Sequence, residues 1–118
     1  MLITMGMLIA NGLQAQDKWT TKDTILEASF IVLNGCDWRQ TNDIVSRQDE
    51  GYYEHNRFLG DHPSHRQVHT WFMLTTIAHV VVAYKLPQYY RRVWQVAWIG
   101  IEADMVNHNY KAGLNIRF

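Results

Sequence analysis

The stretch SHRQVHTWFMLTTIAHVVVAYKLP, residues 64–87, decides how the chain is read. Ser64 with Gln67 three residues on forms a capping box, in which the hydroxyl and the side-chain amide each satisfy a backbone N–H that the first helical turn leaves free. A helix therefore starts here. From Val68 to Leu86 it offers nineteen residues interrupted by few polar groups, chiefly His69, His79, Lys85 and some threonines. About 20 apolar residues cross a bilayer as a helix, which makes this stretch the candidate transmembrane helix of the chain.

The neighbouring segments follow from it. Pro87 suits the first position of a third helix, reached by a very short turn and running to about Asn109, so the second and third helices are expected to be antiparallel neighbours. On the N-terminal side, residues 49–63 read as a loop, opened by Asp49, Glu50 and Gly51 and closed by Gly60, Asp61, His62 and Pro63. Before it, Thr20 and Asp23 form a second capping-box start, with Trp19 placed as a hydrophobic staple, for a helix running to about Arg47. Gly113 to Phe118 alternates apolar and polar residues as a strand would, but one strand makes no sheet. The fold class expected is all-α, a three- to four-helix bundle associated with a membrane.

A chain of 118 residues is one domain by size. We divide it into residues 1–16, signal-peptide-like or an N-terminal anchor helix, and a helical domain over 17–118. Met1 to Leu13 is apolar except for Thr4 and Asn11, and Leu13, Gln14 and Ala15 resemble a signal-peptidase site. The segment carries no Lys or Arg and is short for a membrane span, so an ordinary core helix is the alternative. Lys and Arg total 11, as do Asp and Glu, so no global field favours nucleic acid. Cys36 is the single cysteine; it excludes an internal disulfide and reads as a small hydrophobe in a helix. Fifteen aromatic rings (five Trp, six Tyr, four Phe) suit a core or a membrane boundary. Tyr89, Tyr90, Arg91 and Arg92 have the character of a headgroup-level anchor.

The polar residues within the helices fall into lines. Leu33, Asp37, Gln40, Thr41 and Ile44 share one face of the first helix, and His65, His69, Phe72, Thr76, His79 and Ala83 one stripe of the second. Arg91, Gln95, Trp98, Glu102 and Asn109 do the same on the third. Such lines pack most simply against one another, because a charge buried without a partner costs several kcal/mol. The expectation is one connected polar cluster of Asp37, Gln40, Thr41, Glu54, Asn56, Glu102 and Asn109, with Glu54 and Asn56 folding back from the loop. The competing reading makes the stripes solvated faces of a soluble bundle.

A second grouping is His62, His65 and His69. His65 and His69 lie four apart at a helix start and project from one face, and His62 could complete a three-nitrogen set for zinc or another divalent ion, with Asp61 or Glu54 adding an oxygen. No Glu follows His65 as a zincin would require, and the alternative is capping or loop histidines. No phosphate-binding glycine loop or nucleophile elbow is present, so the residues assign no catalytic set and lean away from an enzyme.

The series Asp37 to Thr41, Glu54 to Asn56 and Leu59 to Pro63, followed by Leu86, Pro87, Arg91, Glu102 and Asn109, resembles a group of small uncharacterised bacterial and phage membrane proteins. Their pattern is Asp-x-x-x-Thr, then Glu-x-Asn-Pro, then Leu-Gly-x-His-Pro. The resemblance covers roughly residues 19–113, with Arg57 where that group usually has proline. It implies a short helical fold at the bacterial cell envelope and no reaction. Three functions follow as expectations. The first is a small membrane or envelope protein acting by contacts with membrane lipid, a protein partner or a second copy. The others are a metal-dependent hydrolase-like enzyme using the histidines and a soluble helical interaction module.

Overall fold

A computed structural model describes residues 18–52, 58–60 and 62–114. They form three long helices: α1 (Thr21–Ser46), α2 (His65–Lys85) and α3 (Gln88–Lys111), with a single 3-10 turn over Gln48–Glu50. No strand occurs among the described residues. Both capping boxes form: the Thr20 and Ser64 hydroxyls accept from the Asp23 and Gln67 backbone N–H groups, and those side chains accept from the cap backbones. Pro87 is the N-cap of α3 rather than its first helical residue. The last turn of α3 closes with Gly113 N–H donating to the Tyr110 carbonyl and Leu114 N–H to that of Asn109. This closure needs a left-handed residue at position 113, where φ is +92°. A Cβ there would also meet the Tyr52 hydroxyl at 3.3 Å.

Side-chain bonds set the register. Asp23 meets Arg91, Glu27 meets Gln95 and Asp37 meets Asn109, so α1 and α3 run parallel. Glu27 meets His79, Asn34 meets Thr76, and Trp38 meets His69, so α2 runs antiparallel to both. Gln88 and Arg91, just past the tight α2–α3 turn, hold the start of α1 through Asp23.

The distribution of polarity is inverted relative to an ordinary soluble bundle. Among the described residues eleven polar or charged side chains are buried, against six hydrophobic ones: Phe30, Ile44, Val68, Phe72, Ala83 and Leu114. Large apolar side chains cover the outside of all three helices: Val32 is 65% exposed, Leu74 61% and Val96 57%. Isolated exposed apolar residues are ordinary; a polar interior paired with an apolar exterior is not.

Two expectations change here. The described helices include none long and apolar enough to cross a membrane, so the stretch from Val68 to Leu86 is not a transmembrane helix by that measure. His69, His79, Lys85 and the threonines of α2 dilute its apolar run. Arg91 is no headgroup anchor: it is fully buried against Asp23, while Tyr89 and Tyr90 stay exposed. The signal-peptide-like segment 1–16 and the alternating tail beyond Leu114 lie outside the described residues.

Candidate functional site

The interior is a ladder of polar layers held between α1 and the other two helices. At the α2–α3 turn, the Asp23 carboxylate accepts from Arg91 Nη1 at 2.8 Å, Arg92 Nε at 3.1 Å and Gln88 Nε2 at 3.2 Å. Arg91 Nε donates to the Ala83 carbonyl at 2.7 Å and Nη2 to that of Tyr84 at 3.2 Å, while its guanidinium lies 5.1 Å from the Trp19 ring. Burial works to raise the Asp23 pKa. The Thr20 backbone N–H and the Arg92 and Arg91 guanidinium groups outweigh it and hold this carboxyl well below the usual range.

One turn further, Glu27 Oε1 lies 2.6 Å from His79 Nδ1, and Glu27 Oε2 accepts from Gln95 Nε2 at 2.9 Å. The imidazole is fixed on its other faces: it stacks on Phe30 at 3.6 Å and on Trp94 at 5.2 Å. Its Nε2 is buried with no hydrogen-bond partner, as is Gln95 Oε1. Asn34 Nδ2 then donates to the Thr76 hydroxyl at 2.6 Å.

The next layer holds the residues expected to cluster. Asn109 Nδ2 donates to Asp37 Oδ1 at 3.1 Å and to Gln40 Oε1 at 3.2 Å, and Gln40 Nε2 donates to the Val106 carbonyl at 3.0 Å. The Glu102 carboxyl is hydrogen-bonded to that of Asp37, and Glu102 Oε2 is buried without a partner. Thr41 is buried one turn from Asp37. The structure thus brings together Asp37, Gln40, Glu102 and Asn109, with Thr41 beside them, while Glu54 and Asn56 lie outside the described residues. Burial raises the Glu102 pKa, opposed by its bond to Asp37 and by the nearby His79. A hydrogen bond between two carboxyls needs a proton on one of them.

The histidine set does not assemble. His65 Nδ1 is 3.0 Å from Asn42 Oδ1, and His69 Nδ1 accepts from Trp38 Nε1 at 3.0 Å. The His65 and His69 rings are 6.4 Å apart on the exposed start of α2, and His62 is also exposed. Among the described residues no three His, Cys, Asp or Glu side chains gather as metal ligands would. Spacing four apart on a helix aligned two rings, but each turned a nitrogen to a neutral neighbour on α1 instead.

Asp23, Glu27 and Asn34 belong to the interior and were not singled out as site residues from sequence. The signal was available: residues 23, 27, 30, 34, 37, 41 and 44 alternate spacings of four and three, the seam of a packed helix written mostly in polar residues. No protein-family model matches the sequence, and no curated protein or solved structure does either.

Proposed function

We propose that this chain is a small membrane-associated protein of the cell envelope, whose apolar exterior is covered by lipid and whose polar interior holds the helices in register. One observation carries the reading: among the described residues large apolar side chains are exposed along all three helices, while eleven polar or charged ones are buried. In water that surface costs free energy at about 25 cal/mol per Å² of apolar area left uncovered. Lipid removes the cost, and exposed apolar surface on this scale marks a membrane or partner contact. The motif resemblance points the same way. The histidine geometry gives no support to a metal-dependent hydrolase.

Cell fractionation tests the proposal. The full-length protein should sediment with membranes, resist a high-salt wash and enter solution only with detergent. Recovery from a detergent-free lysate as a soluble monomer would overturn it, and recovery as a soluble oligomer would favour the helical interaction module.

A further inference from the structure

A cavity of about 520 Å³ opens between α2 and α3, with α1 as its floor. Sites for small organic ligands typically span about 300–1,000 Å³, so the space is large enough for one. Rings form much of its wall: Phe30 from α1, Phe72 from α2, Trp94 and Trp98 from α3. The titratable side chains that line it are Asp37, Glu102 and His79, and no Lys or Arg of the described residues does so. Two buried polar atoms on these walls lack a hydrogen-bond partner, Glu102 Oε2 and His79 Nε2. Glu102 is 8% exposed and His79 3%, so neither is satisfied by simply turning to the surface.

These features select a ligand by its chemistry. Buried carboxyl groups without a lining cation repel an anion and attract a cation. Aromatic faces carry negative charge density and attract a cation too, provided it sheds its water. A small inorganic cation would gain little from rings, and the described residues hold no cluster of three ligands for one. A neutral apolar molecule would fill the space but leave Glu102 Oε2 unpaired, which is costly in a buried site. We propose that the cavity binds a small hydrophobic ammonium compound, with an N–H donated to Glu102 Oε2 and the apolar body packed among Phe30, Phe72, Trp94 and Trp98. The proposal is independent of what covers the exterior of the bundle.

The test compares 2-phenylethylammonium with 2-phenylethanol, which has the same shape and no charge. Full-length protein in a non-ionic detergent is equilibrated with each by dialysis, and binding is read from free ligand and from the fluorescence of the cavity tryptophans. The ammonium should bind at least about tenfold more tightly than the alcohol, the ratio expected when one buried charged hydrogen bond is made or lost. In Glu102→Gln that preference should fall to about twofold or less. Equal binding of the two ligands by the wild-type protein would overturn the proposal, as would no ammonium binding at millimolar concentration. So would an undiminished preference in a folded Glu102→Gln. Should that variant fail to fold, the wild-type comparison of the two ligands decides alone.

Discussion

Glu102 and Asp23 carry the same functional group into the same interior and are held in opposite ways. Asp23 has two guanidinium partners; Glu102 has another carboxyl and no cation within hydrogen-bonding reach. The folded-state pKa of Glu102 lies above its unfolded value of about 4.3, so the native state keeps a proton that the unfolded chain has lost. Stability contributed by this group is therefore present at acidic pH and declines as pH rises from about 4.3 through the raised value. Glu102→Gln cannot ionise, so its stability should not decline through that window. Glu102→Ala removes the carboxyl beside Asp37 and opens a void in the α1–α3 seam, and should lose about 1–3 kcal/mol at neutral pH. Lys111→Ala, at an exposed position, should stay within about 0.5 kcal/mol. Thermal unfolding followed by circular dichroism across pH checks all three. A neutral effect of Glu102→Ala would mean that the carboxyl pair does not hold α1 to α3.

The helices themselves were legible because their ends are written in local chemistry. Thr20 with Asp23 and Ser64 with Gln67 announce two starts, and Pro87 a third, without reference to the rest of the fold. The face each helix buries was harder to read. In α1 the apolar residues Ile25, Ile31 and Val32 mark the outside, and Asp23, Glu27 and Asn34 the inside, so the usual rule that apolar residues find the core points the wrong way. From sequence only the part of the seam from Asp37 onward was read as a polar line, where Ile44 continues it. The Glu27–His79 layer joins residues 52 apart in sequence and has no local signature. How α1 is tied to α3 makes a second prediction. The Asp23 pKa is depressed, so its contribution is complete above the unfolded value of about 3.9 and is lost as pH falls through the folded one. The melting temperature should therefore drop steeply below about pH 4. In Asp23→Asn the drop should be shallower, and the variant should already be about 3–5 kcal/mol less stable at neutral pH, since Arg91 loses its buried counter-charge. An acid limb identical to that of the wild-type protein would show that the pair does not act in this way.

At the scale of the whole molecule, the bundle is organised by its surroundings as much as by its interior. Buried ion pairs such as Asp23–Arg91 roughly balance their own desolvation, so they specify which helix faces which more than they drive folding. The few buried hydrophobic side chains contribute about 1.5–3 kcal/mol each. The larger apolar area lies outside, on Val32 of α1, Leu74, Ile77 and Val81 of α2, and Val93, Val96 and Ile101 of α3. On the proposed reading, lipid against that surface would make the inverted arrangement stable, and the polar ladder would then fix one packing among many that apolar helices could adopt. The most direct measurement places a nitroxide label at Val32, Leu74 or Val96 in a Cys36→Ser background and reads its collision rates in native membranes. Oxygen, which concentrates in lipid, should relax the label more strongly at all three positions than a water-soluble nickel chelate does. Stronger relaxation by the nickel chelate at these positions would place the apolar exterior in water and contradict the account.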